Sequence, residues 1–214
     1  MSRKPPELPE QFFKRQDESS DDLFYEYPRF ETHIDDSTID NLTEFYREAL
    51  APEDRVLDLM SSWISHLPPE TRYQQVSGLG MNEAELARNE RLDDYVVQNL
   101  NESPSLPYDN DSFDVVTIVV SVQYLIRPFE VFEEIARVLA PEGRCIVAMS
   151  HRLFPTKAVY AFQMLSPEDR CRIVAAYMKN TEQFEETESL DRSPSVGDPL
   201  WLVRGSLFSL PQNL

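Results

Sequence analysis

Glycine is scarce in this chain. There are 5 glycines among 214 residues, whereas ordinary usage near 7% predicts roughly 15. A phosphate-binding loop of the G-x-G-x-x-G type needs several glycines within one turn, and enzymes that use it also carry an acidic residue after their second strand. The sequence has neither feature, so it disfavours a nicotinamide-dependent oxidoreductase.

Positive charge is also in short supply. Lys and Arg number 20 against 38 Asp and Glu, which gives a formal net charge of −18. Such an excess of negative charge repels nucleic-acid backbones and anionic membrane surfaces. We therefore expect no nucleic-acid partner.

Long apolar runs and cysteine motifs are missing as well. No stretch reaches the roughly 20 apolar residues that a membrane-spanning helix requires, and the start M-S-R-K-P-P lacks the apolar core of a signal peptide. Cys145 and Cys171 form no C-x-x-C motif and have no histidine at metal-ligand spacing. We expect a soluble, cytoplasmic protein with no membrane segment and no metal, and the oligomeric state stays open.

The length of the chain fits one compact domain preceded by two shorter segments. Residues 1–22 are rich in Pro, Glu and Ser and predict a flexible N-terminal tail, in which Phe12 and Phe13 are candidates to dock on the domain. Residues 23–50 predict a cap segment, L-F-Y-E-Y-P-R-F, and an amphipathic helix capped by Asp36 or Ser37. The cap segment either closes over a ligand or covers a sheet edge. Residues 51–214 form the domain.

Strands and helices alternate through that domain. Apolar, β-branched runs predict strands at residues 56–59, 73–79, 95–100, 113–125 and 145–149. Helices are predicted as a short turn stopped by Pro68, at 83–90 after an Asn82 cap, from Pro128, at 157–165 and at 167–179.

Two further strands, 184–190 and 200–207, are predicted to pair antiparallel. This order predicts an α/β fold, a Rossmann-like three-layer sandwich with a seven-stranded, mostly parallel sheet and an antiparallel C-terminal edge hairpin.

Asp58 is an acid near the end of the first predicted strand, in R-V-L-D-L-M-S-S-W. Open α/β sheets bind their ligands at the carboxyl ends of the strands, where the backbone N–H groups of Met60 to Ser62 are also available. A carboxylate that only caps its own loop explains the same pattern. Both interpretations stay open on this stretch alone.

Two motifs indicate the family. The stretches L-P-Y-D-N-D-S-F-D-V-V (106–116) and R-V-L-A-P-E-G-R (137–144) resemble the class I S-adenosylmethionine-dependent methyltransferases that act on small molecules. The resemblance covers about residues 50–150. It implies S-adenosyl-L-methionine as cofactor and methyl transfer by in-line displacement to a small-molecule acceptor.

The resemblance also implies a set of cofactor contacts. They are Asp58, Met60, Ser61, Ser62, Gly80, Asn82, Asn99, Leu100, Ser121 and Gln123. Tyr27 of the cap segment is also predicted to contact the cofactor by closing over it, with plain packing as the alternative. The sequence departs from the family where L-M-S-S-W replaces a glycine-rich turn and where Gly80 and Asn99 replace acids. Because a charge-assisted hydrogen bond contributes roughly 1.5 to 3 kcal/mol and a neutral one about 1, these changes weaken cofactor binding without preventing it.

Candidates for the chemistry follow from the same resemblance. His33, Tyr124 and His151 are the predicted catalytic residues, with histidine suited to accept a proton near neutral pH, although a structural role remains the alternative for each histidine. Tyr25 and Arg29 are predicted to help close the site, whereas His66 is predicted to be structural. S-V-Q-Y (121–124) differs from the Asn-Pro-Pro-Tyr type signature of enzymes that methylate adenine or glutamine amino groups, which favours an oxygen, sulfur or carbon nucleophile.

The missing glycines and acids also fit a second class of function. In it the chain keeps the methyltransferase scaffold but serves as a non-catalytic interaction or regulatory module.

Overall fold

The computed structural model describes residues 8–209. Its centre is a seven-stranded sheet in the order β3-β2-β1-β4-β5-β7-β6. The strands are β1 (Arg55–Leu59), β2 (Gln75–Gly80), β3 (Asp94–Val97), β4 (Phe113–Val119), β5 (Leu139–Met149), β6 (Phe184–Asp191) and β7 (Trp201–Leu207). Strands β1 to β5 run parallel, whereas β7 pairs antiparallel with β5 and β6. The predicted fold class is confirmed.

Six α-helices accompany the sheet in the described residues. They are α1 (Asp21–Phe24), α2 (Asp36–Ala49), α3 (Glu83–Arg88), α4 (Pro128–Val138), α5 (Tyr160–Met164) and α6 (Pro167–Asn180). Side-chain caps fix four of their starts, because Ser20, Asp35, Asn82 and Ser166 each accept a hydrogen bond from a backbone N–H in the first turn. The cap of α2 is therefore Asp35, one residue before the predicted position. Helix α5 begins at Tyr160, three residues later than predicted.

Two predicted elements are wrong. No helix follows β1, because the serines there donate to Asp58 and hold the chain in an irregular loop as far as Pro68. Strand β4 ends at Val119 and does not continue to residue 125. Val120 adopts a positive φ of 47°, which turns the chain away from the sheet into a short 3-10 turn at Val122–Tyr124.

The sheet is buried between two helical layers. Alternate residues of the central strands face opposite layers. Leu57 of β1 and Val116 of β4 belong to the core that includes α4 and α6, whereas Val56 belongs to the core under α2. None of the helices between residues 8 and 209 combines the length and the hydropathy needed to span a bilayer.

The N-terminal segment lies against this domain as far as it is described. Phe12 and Phe13 pack on the core beside α4, as expected. Lys157 is fully buried, and its Nζ lies 3.1 Å from Asp17 Oδ2 and 3.5 Å from Asp21 Oδ1. Residues 1–7 of the predicted tail are outside the described range, and the division into tail, cap segment and domain stays a prediction.

Candidate active site

A cavity opens at the carboxyl ends of the parallel strands. Its lining comes from the loops that follow β1, β2, β3 and β4, and from the cap segment. Parallel strands order these loops along one edge of the sheet, the usual ligand site of open α/β folds. The fold therefore brings together residues that are far apart in the sequence.

The corner after β1 is built on the carboxylate of Asp58, which is 5% exposed. In the sheet Asp58 lies between Gly78 of β2 and Thr117 of β4. Its Oδ2 accepts hydrogen bonds from Ser61 Oγ at 2.6 Å and from Ser65 Oγ, and its Oδ1 accepts one from Thr117 Oγ1 at 3.4 Å. Burial raises the pKa of Asp58, and the three hydroxyls oppose that shift.

A second layer of hydrogen bonds holds this corner. The Nδ2 of Asn89 donates to Ser65 Oγ and to the Ser62 carbonyl oxygen, both at 2.9 Å. Met60 takes the left-handed conformation, with a φ of 59°, where an ordinary side chain costs about 1 kcal/mol relative to glycine. Hydroxyls and an amide thus stabilise a turn without glycine.

The end of β2 forms the next wall. A Cβ atom on Gly80 would lie 2.2 Å from the Ser61 carbonyl oxygen, so the close approach of the β1 corner requires glycine there. The side chain of Asn82 has a structural role. Its Oδ1 accepts a hydrogen bond from Glu85 N, and its Nδ2 donates to the carbonyl oxygens of Tyr25 and Glu26.

The amides after β3 hold the N-terminal segment in the same way. Asn99 Nδ2 donates to Asp22 Oδ1 at 3.3 Å, and Asn101 Nδ2 donates to Asp21 Oδ2 at 2.7 Å and to the Tyr124 carbonyl at 2.9 Å. The residues directly before the cap segment are therefore attached to the rim of the cavity through hydrogen bonds.

Aromatic rings form the opposite end of the cavity. The rings of Tyr124 and Phe154 stack with centroids 5.9 Å apart, and the His33 ring meets Phe154 edge-on at 5.4 Å. The Tyr124 hydroxyl accepts a hydrogen bond from the Phe154 backbone N–H at 2.9 Å. The guanidinium of Arg29 lies 5.4 Å from the Phe154 ring centroid.

Three side chains around this aromatic end have shifted pKa values, all caused mainly by burial. The pKa of His33 is lowered, so its imidazole is neutral at pH 7. The pKa of His66 is lowered to about 4. The pKa of Tyr25 is raised, which keeps its phenol protonated. A neutral imidazole beside a cavity is able to accept a proton.

Most of the predicted site residues meet in this cavity. Those that line it are His33, Asp58, Met60, Ser61, Ser62, Gly80, Asn82, Asn99, Leu100, Ser121 and Tyr124. Tyr25 and Arg29 also line it, as expected for residues that close the site.

Three predicted residues do not line the cavity. Tyr27 points outward and is 72% exposed. Gln123 is buried and donates to the carbonyls of Val120 and Arg152. His151 lies outside the cavity with its Nε2 2.9 Å from Asp198 Oδ1. Tyr27 was predicted from its place in the cap segment, and Gln123 and His151 from their positions after a strand. Neither criterion determines the direction of a side chain.

Sequence reasoning missed several lining residues. Glu85, Ser65 and Phe154 belong to the cavity, and so does His66, which was predicted to be structural only. A signal existed for Glu85, the third residue after the Asn82 cap, where a side chain points back toward the helix start. Nothing in the sequence places Phe154, because a long loop after β5 carries it.

Comparisons with known proteins agree with this geometry. A family profile described as "Methyltransferase domain" matches residues 62–147. The chain is 39% identical over 46 residues to a demethylmenaquinone methyltransferase of Clavibacter sepedonicus, covering 22% of this chain and 19% of that protein. It is 36% identical over 76 residues to the methyltransferase GfsG of Streptomyces halstedii, covering 34% of this chain and 27% of that protein.

The fold has a close counterpart in a solved structure. An S-adenosylmethionine-dependent methyltransferase from Mesorhizobium loti superposes with a TM-score of 0.53 at 16% identity, covering 78% of this chain and 99% of that one. The methyltransferase profile covers less than half of the chain, and the solved structure shows that the fold is the same. The chain spans about a fifth to a quarter of the length of the curated relatives that it matches.

The cavity suits a polar ligand that carries positive charge, as S-adenosyl-L-methionine does. Among the described lining residues, the carboxylates of Glu31, Asp58 and Glu85 have no Lys or Arg partner within ion-pair distance, which suits a ligand with positive charge. Ser121 Oγ and His66 Nδ1 are buried without a hydrogen-bond partner in the described part of the chain. Buried polar atoms of this kind indicate a polar ligand.

Proposed function

We propose that the protein transfers the methyl group of S-adenosyl-L-methionine to a small-molecule acceptor. The observation that carries the proposal is the joining of two unlike surfaces in one cavity. The end around Asp58, Gly80 and Asn99 is polar and acidic, whereas the end around Tyr124 and Phe154 is aromatic. Such a cavity suits a charged cofactor beside an apolar acceptor.

The residues of the chain have distinct tasks in this proposal. When bound, S-adenosylmethionine supplies an electrophilic methyl group on a positively charged sulfur. The corner of Asp58, Ser61 and Ser62 holds the cofactor, and the cap segment excludes water from the cavity. Trp63 supports that closure, because its Nε1 donates to the Glu31 carbonyl at 3.1 Å.

His33 is the residue proposed to accept a proton from the acceptor. Its lowered pKa keeps the imidazole neutral at pH 7, and its ring borders the aromatic end. Methyl transfer requires mainly that nucleophile and methyl group lie in line, so an acceptor that is already ionised needs no base. The base is therefore proposed for hydroxyl or thiol acceptors.

The names of the matched relatives support the choice of a small molecule. One relative is named for methylation of demethylmenaquinone, an organic ring compound. The non-catalytic alternative is not favoured, because Trp63 lies in the wall of the cavity and does not fill the corner after β1.

Label transfer tests the proposal. The purified protein is incubated with methyl-labelled S-adenosylmethionine and a fraction of small metabolites, and the products are separated from protein. We expect label in a small molecule and stoichiometric S-adenosylhomocysteine. The variant Asp58→Asn serves as the inactive control, once its circular dichroism spectrum has shown that it is folded. The fractions should include phenols, thiols and carbon acids. If none of them yields a labelled small molecule or S-adenosylhomocysteine, the proposal is contradicted.

A further inference from the structure

Arg29 brings a positive charge to the aromatic end of the cavity. It is the single Lys or Arg among the described residues that line the cavity. Its guanidinium carbon lies 4.4 Å from the ring centroid of Phe24, 5.6 Å from that of Tyr25 and 5.4 Å from that of Phe154. A cation that contacts three aromatic rings is held at this end of the cavity.

Hydrogen bonds to the backbone fix the position of Arg29. Its Nη2 donates to the Phe24 carbonyl oxygen at 2.7 Å, and its Nη1 donates to the Tyr27 carbonyl oxygen at 3.5 Å. A guanidinium group has five N–H donors. Because the described residues of the protein accept only two of these bonds, the remaining N–H groups are free to bind a ligand.

The guanidinium of Arg29 has no carboxylate partner within residues 8–209, where no Asp or Glu oxygen lies within ion-pair distance of it. Glu85 also lines the cavity, but its Oε1 accepts from the Arg29 backbone N–H at 2.6 Å and its Oε2 accepts from Ser62 Oγ at 2.6 Å. The charge of the Arg29 side chain is therefore free to pair with an anionic group of a ligand.

The ring of Phe154 joins this cation to the proposed base. The Phe154 ring centroid lies 5.4 Å from the guanidinium carbon of Arg29 and 5.4 Å from the ring centroid of His33. Burial is the main cause of the lowered pKa of His33, and the charge of Arg29 acts in the same direction. A flat molecule beside Phe154 therefore meets a cation and a neutral imidazole together.

We propose that the acceptor is a planar acid whose carboxylate binds Arg29 while its hydroxyl or thiol group faces His33. The inference rests on the proposed function. A guanidinium group binds a carboxylate through parallel hydrogen bonds of defined direction, so the pair fixes the orientation of a flat ring that stacking alone leaves free. The cation also offsets the net charge of −18, which otherwise repels an anionic ligand.

Matched acids and amides test the inference by binding. Calorimetry gives the Kd of para-hydroxybenzoate, of hydroxynaphthoate and of their neutral amides, with the protein saturated with S-adenosylhomocysteine. The proteins are the wild type, Arg29→Gln, Arg29→Lys and Arg88→Gln. Arg88 is the matched control, because its guanidinium also lies over a ring of the cap segment, 4.7 Å from the Phe30 centroid, but it does not line the cavity.

We expect the wild type and Arg88→Gln to bind each acid about tenfold more tightly than its amide, the difference between a charge-assisted and a neutral hydrogen bond. Arg29→Gln should lose this preference. Arg29→Lys should keep part of it, because the charge remains while the parallel hydrogen bonds are lost. If Arg29→Gln does not fold, the wild type and Arg29→Lys still give the comparison.

Four results would overturn the inference. They are a wild type that binds the acids no more tightly than the amides, or binds neither; an acid preference that persists in Arg29→Gln; an equal loss of acid and amide in Arg29→Gln, which would limit Arg29 to supporting the rings; and a loss of S-adenosylhomocysteine affinity in Arg29→Gln as large as the loss for the acids. The last result would mean that Arg29 binds the carboxylate of the cofactor.

The outcomes distinguish this inference from the function on which it rests. A wild type that does not bind S-adenosylhomocysteine refutes the proposed cofactor and the role of Arg29 together. A wild type that binds S-adenosylhomocysteine but does not distinguish the acids from the amides refutes only the role of Arg29.

Discussion

The two ends of the cavity are built in opposite ways. At the cofactor end, the part around Asp58 that is proposed to hold the cofactor, Asp58, Ser61 and Ser65 lie within eight residues of one another and are joined by hydrogen bonds. At the acceptor end, the aromatic part that is proposed to hold the acceptor, Tyr124 and Phe154 come from different loops and meet through ring stacking.

The difference shows what each end is able to discriminate. Hydrogen bonds have fixed directions, so the cofactor end holds one arrangement of polar atoms. Ring stacking and apolar contact are less directional and tolerate substituents of different shape. We infer that the cofactor end selects a single ligand. The acceptor end selects the acceptor molecule by its size and by how flat it is.

The largest expected effect on ligand binding comes from Asp58→Asn, which changes only the cofactor end. The amide nitrogen cannot accept hydrogen bonds, so a hydroxyl that now donates to the carboxylate loses its acceptor. We expect the Kd of S-adenosylhomocysteine to rise about 100-fold, equivalent to about 2.7 kcal/mol, measured by calorimetry. Asp114→Asn removes a carboxylate from the opposite end of the sheet and should leave the Kd unchanged. Equal weakening in both variants would mean that only general stability was lost.

His66, which lines the same cavity, gives the next largest effect. Its pKa is about 4 in the folded protein, compared with 6.5 in an unfolded chain. The unfolded state therefore binds more protons between these values, so folding stability falls as the pH drops below 6.5. From pH 7 to pH 5 we expect about 2 kcal/mol of the free energy of unfolding to be lost through this residue.

Urea unfolding at both pH values measures this loss in the wild type and in His66→Gln. The variant should be less sensitive to pH by that amount. The same pH dependence in both proteins would show that His66 is not the responsible group.

A smaller effect is expected at the acceptor end from Phe154→Leu. The change removes the ring that stacks on Tyr124 and meets His33, and aromatic pairs contribute about 0.5 to 1.5 kcal/mol beyond the area that they bury. We expect the transfer rate at low acceptor concentration to fall about tenfold, whereas the Kd of S-adenosylhomocysteine stays within a factor of about two. A parallel rise in that Kd would show that the two ends are not independent.

The smallest effect tests the support of the corner. Ser65→Ala removes one donor to Asp58 and one acceptor for Asn89. Two hydrogen bonds in a partly polar site correspond to about 1 to 2 kcal/mol of the free energy of unfolding. Chemical denaturation is the measurement, with Ser166→Ala as a second serine whose loss affects only a helix cap. Full stability in Ser65→Ala would remove Ser65 from the network.

The same contrast explains what the sequence was able to predict. Runs of apolar and β-branched residues locate the strands in the sequence. The order of strands and helices then places Asp58, Gly80 and Asn99 at one edge of a parallel sheet. Those predictions depend on local patterns, so most of the predicted cofactor contacts line the cavity. Their role in binding stays a prediction.

Other lining residues were not predictable, for a physical reason. Phe154 reaches the aromatic end through the course of a loop, and Glu85 reaches the corner after β1 through the direction of its side chain. Both depend on tertiary packing. His151 has the same residue type as His33 but pairs with Asp198 outside the cavity. The missing helix after β1 was also not predictable, because Ser61 and Ser65 bind a carboxylate that the pattern of apolar residues does not reveal.

A crystal structure of the protein grown with S-adenosylhomocysteine tests the central claim most directly. The expected complex has the ligand at the corner of Asp58, with its sulfur directed toward Tyr124 and Phe154. A cavity that stays empty at millimolar ligand, or a ligand bound elsewhere on the surface, would contradict the assignment of the two ends.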